Sequence, residues 1–278
     1  MILERPIGCW INGKAGSAIS ALDGGLHYGH GLFETMAVKD GRILLEKYHL
    51  ERLSEGCKRF RLPLPPIAAL ERELRAASEG TKQLLLKLIV TRGENRPNHN
   101  SLSHGESTRI LLAYPWRDYP AAWYEHGIRV HICETHISRN SRLAGLKHLG
   151  RMEQVLARDE WTEADDIQEG LMVDEEGSVV QGTETNVFAW LPHGVLATPI
   201  LRLSGVAGVM RRYILEQAEH AGIQVRIATL SLPELMGANE IFVCNSIVGV
   251  WPVASIGHWK YTVGPVTRQV QDWVAKRP

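Results

Sequence analysis

Apolar and polar positions along the chain follow two periods. Residues 31–38 (GLFETMAV) place Phe33, Thr35 and Ala37 on one face by the two-residue repeat, which predicts a strand. Residues 42–45 predict a partner for it across the turn at Asp40-Gly41. Over 46–60 the repeat changes: Leu50, Leu53, Cys57 and Phe60 recur at helical spacing. Pro63, Pro65 and Pro66 break that helix, and Ile67, Leu70, Leu74 and Ala77 mark a second. Residues 83–91 and 108–113 read as buried strands. Further on, strands are expected near 128–133, 170–173, 179–181, 186–190, 195–197, 223–227 and 241–244. Helices are expected at 151–161 with Met152, Val155 and Leu156 inward, at about 205–221 ending on Gly222, and at 266–276.

The proline- and aromatic-rich stretch PWRDYPAAWYE lacks a period and reads as a linker. The expectation is a mixed α and β protein (α+β / α/β) in two domains, 1–115 and 126–278, joined by residues 116–125.

Composition narrows the function class. Hydrophobic residues make up 44% and charged residues 22% of the 278 positions, as in ordinary globular proteins. Lys plus Arg and Asp plus Glu are both 31, so no net field favours nucleic acid or an anionic membrane as partner. Cys9, Cys57, Cys133 and Cys244 form no CxxC pair, and the opening MILERPIGCW has no apolar signal core, so a cytoplasmic location is expected.

Two lysines lie in apolar runs: Lys87 in LLLKLIV and Lys147 in LAGLKHLG. Desolvation favours the neutral, nucleophilic amine. Either side chain can equally reach from a half-buried strand to water, and Lys87 fits that description better. Gly145 and Gly150 leave room for a bulky group near Lys147. Ser204-Gly205-Val206-Ala207-Gly208 is expected to open a helix, either as an ordinary cap or as an anion site of backbone N–H groups. Arg52 borders the apolar stripe of its helix and is either a phosphate ligand or a solvated side chain. Gly29-His30-Gly31 does not complete a dinucleotide fingerprint, no Walker-type loop occurs, and His131, Cys133 and His136 are not read as a metal site.

Together these segments resemble the fold-type IV pyridoxal-phosphate enzymes, the superfamily of branched-chain and D-amino-acid aminotransferases and aminodeoxychorismate lyases. The ordered matches are DGGLHYGHGLFET, HLERL, TRG, LKHLGRMEQVLAR, GTETNVF, Thr198-Pro199 with Gly205 to Gly208, and Cys244-Asn245-Ser246. AGLKHL followed by RMEQVLAR is most similar to the lyases.

The resemblance implies a two-domain, D-amino-acid-aminotransferase-like fold, pyridoxal 5'-phosphate as cofactor, a small-molecule substrate and a homodimer. It makes Lys147 the Schiff-base lysine and proton carrier. It gives the cofactor phosphate to Arg52, to the amides of Val206 and Ala207, and to Ser246 with Asn245. Phe33 and Thr35 would line the pocket, and Arg92, Arg96 and His99 would bind a substrate carboxylate. The implied reaction converts 4-amino-4-deoxychorismate to 4-aminobenzoate and pyruvate. A D-amino-acid or branched-chain aminotransferase and a catalytically silent relative are the alternatives.

The chain departs from the family pattern at Gln181, where a glutamate usually faces the pyridine nitrogen. A neutral amide can bond that nitrogen but supplies no charge. His30 stands where an aspartate is common, and ENRPNHNS lacks the glycine-rich stretch usual in the lyases.

Overall fold

The computed structural model of the chain describes residues 5–94 and 105–278. The described residues form two compact units: the chain up to Arg117 with Lys147–Gly150 and Pro278, and Asp118–Leu146 with Arg151–Arg277. None of their helices is long and apolar enough to cross a membrane.

The first unit contains β1 (Gly8–Ile11), β2 (Lys14–Ala15), α1 (Gly24–Tyr28), β3 (Gly31–Lys39), β4 (Arg42–Ile43), α2 (Glu46–Phe60), α3 (Ile67–Ser78), β5 (Gln83–Thr91) and β6 (Thr108–Pro115). Its antiparallel sheet runs β2-β1-β6-β5-β3-β4. The strand and helix periods act as expected. Leu32, Met36 and Val38 of β3 are buried, as are Leu50, Leu53 and Cys57 of α2 and Leu70 and Leu74 of α3. Each fully buried leucine contributes about 2 kcal/mol relative to exposure.

Strand β4 pairs only with Val38 and Lys39, so the Gly31 end of β3 is left without a strand neighbour on that side. The segment 147–149 takes that place. Phe33 N–H donates to the Lys147 carbonyl (3.0 Å), and Leu149 N–H donates to the Gly31 carbonyl (3.0 Å). Only a glycine suits position 31, because a Cβ there would lie 2.6 Å from Leu149 Cδ1 and 2.9 Å from the Val90 carbonyl oxygen.

The second unit contains α4 (Ala121–Glu125), β7 (Ile128–Ile132), α5 (Met152–Arg158), β8 (Glu169–Val173), β9 (Ser178–Gly182), β10 (Asn186–Leu191) and β11 (Val195–Pro199). It continues with α6 (Val209–His220), β12 (Gln224–Ala228), β13 (Leu230–Ser231), α7 (Leu232–Met236), β14 (Glu240–Asn245), β15 (Gly249–Ile256), β16 (Trp259–Lys260) and α8 (Pro265–Ala275). The sheet order is β12-β11-β10-β14-β15-β7-β8-β9-β13, with β16 beside β15.

Three expectations are corrected here. The stretch read as a linker carries α4, because Tyr119 and Trp123 stack edge-on against Trp251, with ring centroids 5.0 and 5.2 Å away. Helix α6 begins at Val209 rather than near 205, since Gly205 sits at φ +82 and Gly208 is extended. Finally, Met152, Val155 and Leu156 of α5 do not face inward; they are 68, 52 and 52% exposed, whereas Ala157 is buried. Helical spacing identifies an apolar face but not what covers it.

Candidate active site

The first unit assembles its polar residues on the two faces of β3. On the helix-covered face Glu34 is buried at 2% exposure. Such a carboxylate requires partners, and α2 supplies two from one face, three residues apart. Arg52 Nε donates to Oε1 (2.8 Å), Arg52 Nη2 donates to Oε2, and His49 Nδ1 lies 2.6 Å from Oε2. Burial pushes the Glu34 carboxyl up, but the Arg52 charge and the hydrogen bonds from His49 and Arg52 outweigh it and leave a pKa of about 2. Burial pushes His49 down; Glu34 opposes, and the charges of Arg52 and Lys147 add to the downward shift. His49 is then neutral, a donor through Nδ1, and its buried Nε2 has no hydrogen-bond partner among the described residues.

This arrangement presets Arg52. Its Nε/Nη2 edge is turned to Glu34, so the Nη1 corner points away from the carboxylate. Sequence reasoning selected Arg52 but missed Glu34 and His49. The available signal was a charge inside an apolar strand, opposite in parity to Phe33, followed by His and Arg at helical spacing.

On the other face of β3, Lys147 Nζ stands 4.2 Å from the centroid of the Phe33 ring, and Lys87 Nζ stands 5.1 Å from the same centroid. Thr35 shares that face by parity and is half-buried. Arg92 is 2% exposed and directs its backbone N–H to the His30 carbonyl (2.9 Å). His30 Nε2 lies 3.1 Å from the Phe60 carbonyl, a structural contact at a turn. Arg96 and His99 lie outside the described residues.

In the second unit two carboxamides grip the backbone of one residue. Val206 N–H donates to Gln181 Oε1 (2.8 Å), and Asn186 Nδ2 donates to the Val206 carbonyl (2.9 Å). Ala207 N–H donates to the Gly145 carbonyl (3.1 Å). The expected helix start is thus moved past both residues. Both residues precede α6, and both N–H groups are engaged within the chain.

Asn245 differs as well. Its Oδ1 accepts from the N–H groups of Ile247 (2.8 Å) and Val248 (2.9 Å), and its Nδ2 donates to the Glu184 carbonyl (3.3 Å). It closes its own turn and braces the turn before β10. Ser246, in the same turn, is half-exposed.

Glu169, another residue the sequence did not single out, is 3% exposed and holds that same turn. It accepts from the Thr183 N–H and hydroxyl (3.0 and 2.5 Å) and from the Thr185 hydroxyl (2.9 Å). Burial raises its pKa, and the Thr183 bond opposes this. Glu184 is exposed.

Residues 31–256 match the model of the amino-transferase class IV family. The chain belongs to that family. Among its relatives is the aminodeoxychorismate lyase of Vibrio harveyi, 29% identical over 94% of this chain and 97% of that protein. The branched-chain-amino-acid aminotransferase of Escherichia coli K12 is 26% identical over 95% of this chain and 90% of its own length. A solved structure, the 4-amino-4-deoxychorismate lyase of Pseudomonas aeruginosa, superposes with a TM-score of 0.91 at 44% identity, over 95% of this chain and 97% of that one.

Proposed function

We propose that the chain is a pyridoxal-phosphate-dependent lyase converting 4-amino-4-deoxychorismate to 4-aminobenzoate and pyruvate, a cytoplasmic step of folate biosynthesis. The 44% identity to the Pseudomonas lyase across nearly the whole chain carries this reading. The site residues agree with it.

The residues fit the cofactor. Lys147 offers a primary amine against an aromatic ring, and Arg52 offers a cation held in place by a buried carboxylate. The loop from Gly205 to Gly208 presents backbone with little side-chain bulk. Arg52 and Ser246 are the leading phosphate ligands. The Val206 and Ala207 amides would have to exchange their present acceptors to join them, and Asn245 acts through the turn it closes. Gln181, whose Oε1 serves Val206, would offer its Nε2 hydrogens to the ring nitrogen.

Bound pyridoxal phosphate supplies an electron sink that acidifies the proton on the amine-bearing carbon. Lys147 would hold the cofactor and would then take that proton on Nζ as general base. The face of Phe33 favours the ammonium so formed, by about 0.5–2 kcal/mol. Arg52 fixes the phosphate end, so the amine and the carbon meet in one orientation. Phe33 and Thr35 line the substrate side, and Arg92, with Arg96 and His99, is assigned to a substrate carboxylate. The substrate carbon–oxygen bond would break with its electron pair leaving on the three-carbon arm, which would take the proton held on Lys147 Nζ to become pyruvate; the ring would become aromatic, a driving force that would tolerate the weaker sink left by Gln181.

A homodimer is part of this reading. The exposed apolar stripe Met152, Val155 and Leu156 supports it, as do exposed Leu22, Leu26 and Tyr28 around α1.

The test supplies the purified protein with pyridoxal phosphate and 4-amino-4-deoxychorismate, without a keto acid. Equal yields of 4-aminobenzoate and pyruvate are expected, falling by at least about 10⁴-fold in Lys147→Ala. Amine transfer that requires a keto acid, with no pyruvate released from the substrate, overturns the lyase in favour of a transaminase.

A further inference from the structure

We propose that Arg211 is a positioning residue for the cofactor's phosphate: its charge, set beside the loop that ends at Gly208, draws the dianion in without bonding to it. This assignment rests on the cofactor reading above.

Arg211 occupies the first turn of α6 and is half-buried. Its Nε donates to the Thr198 hydroxyl (3.2 Å), and its Nη2 donates to the Pro199 carbonyl (3.0 Å). Both acceptors are neutral and belong to β11. Thr198 spends its own hydrogen on the Val187 carbonyl (2.9 Å), which leaves its oxygen to the guanidinium. No carboxylate of the described residues pairs with Arg211. The next residue makes the contrast, since exposed Arg212 donates to Glu216 (2.9 Å) one turn along the helix. Among the described residues, Cys244 is the titratable group whose charge reaches Arg211, and burial pushes that thiol up to about 12, so it is uncharged at neutral pH.

Three effects oppose a cation in this place. Burial disfavours its charge and pushes the guanidinium down from its ordinary range, although an arginine stays protonated. The missing counter-charge leaves that desolvation uncompensated. The start of a helix is the positive end of its dipole, and Gly208 caps α6 without a side-chain hydrogen bond. All three reverse sign once an anion stands nearby.

The neighbours of Arg211 identify the anion. A Cβ at Gly208 would clash with Asn186 Oδ1 and lie 3.7 Å from Arg211 Cβ, so the loop 205–208 runs against the arginine stem. Cys244 directly precedes Asn245 and Ser246. Arg211 thus adjoins both segments of the second unit that the cofactor reading gives to the phosphate. It also supplies what Arg52 does not. Arg52 comes with the ionised Glu34, a pair without net charge, whereas Arg211 offers a whole charge. With Nε and Nη2 committed to β11, it acts through its field.

Pyridoxamine 5'-phosphate is the probe, because it has the phosphate but forms no bond to a lysine. Its dissociation constant is measured by calorimetry on the full chain freed of cofactor. Arg211→Met is expected to weaken it about tenfold, the loss of one nearby charge. Arg211→Lys keeps the charge but not the fork held by Thr198 and Pro199, and is expected to stay within about threefold of wild type. Urea midpoints of the cofactor-free chains are the second readout. Arg211→Met is expected to unfold at the wild-type urea concentration or above it, since it removes a charge without a partner.

A purely structural arginine gives the opposite pattern. Both variants then lose the bonds to β11 and unfold earlier, and Arg211→Lys binds the probe no better than Arg211→Met. That pattern overturns the assignment, as does equal binding by wild type and folded Arg211→Met. If the methionine variant does not fold, binding by Arg211→Gln against Arg211→Lys decides in the same way. A wild-type chain that binds neither pyridoxamine 5'-phosphate nor pyridoxal phosphate overturns the cofactor reading itself. Tight binding by wild type and variant alike leaves that reading standing and removes Arg211 alone.

Discussion

His49 donates its Nδ1 hydrogen to Glu34 across 2.6 Å, and the same carboxylate holds Arg52. Both members of the pair have pKa values lowered in the fold: Glu34 from 4.5 to about 2, and His49 from its ordinary 6.5. A group lowered in this way binds fewer protons folded than unfolded between its two values, so acid favours unfolding. The His49 contribution is complete above 6.5 and fades as the pH falls below it; the Glu34 contribution is complete above 4.5 and is lost towards 2. Urea midpoints measured across the acid range should therefore fall in two steps. His49→Asn should remove the upper step and Glu34→Gln the lower. Glu34→Gln should also cost about 3–5 kcal/mol at neutral pH, because it leaves Arg52 half-buried without its counter-charge.

Gln181→Glu keeps an oxygen for the Val206 N–H, so the variant should fold. It replaces an amide donor with a negative charge, which strengthens the electron sink. The ratio of transaminase to lyase turnover should rise on the order of tenfold. Assaying both activities on one preparation checks this, and an unchanged ratio counts against the role given to Gln181.

The exposed face of α5 predicts an oligomer that charge disrupts. Val155→Lys combined with Leu156→Lys should weaken self-association by about 2–4 kcal/mol. Sedimentation velocity on a dilution series should show wild-type dimer and variant monomer. A wild-type monomer would remove the explanation offered for the stripe.

Gly31→Ala should destabilise the fold by about 1–3 kcal/mol, since its methyl group meets Leu149 and the Val90 carbonyl. The displaced segment carries Lys147, so cofactor retention should fall more steeply than unfolding stability. Denaturation and visible absorbance on the same samples separate the two effects.

Much of the fold was legible. The helix over 46–60 and the strand over 83–91 follow from repeats long enough to be unambiguous, and the family resemblance singled out Lys147 and Arg52. What the sequence hid follows from three-dimensional pairing. Glu34 becomes a ligand of Arg52 only when β3 meets α2, and Lys87 becomes a neighbour of Phe33 only through the register of β3 with β5. The start of α6 was misplaced because Gly205 and Gly208 can be read equally as helix or as loop. Val155 and Leu156 were assigned inward because a helical period looks the same against a core and against another surface.

The grip of Gln181 and Asn186 on Val206 touches the N–H and the carbonyl of that residue and nothing of its side chain. Position 206 can therefore drift among non-proline residues over many generations without loosening the loop. Position 181 must keep an oxygen, which glutamine and glutamate both supply, and position 186 must keep a donor. Lineages of this protein should record the tether in those two side chains, while the residue it holds carries little memory of it.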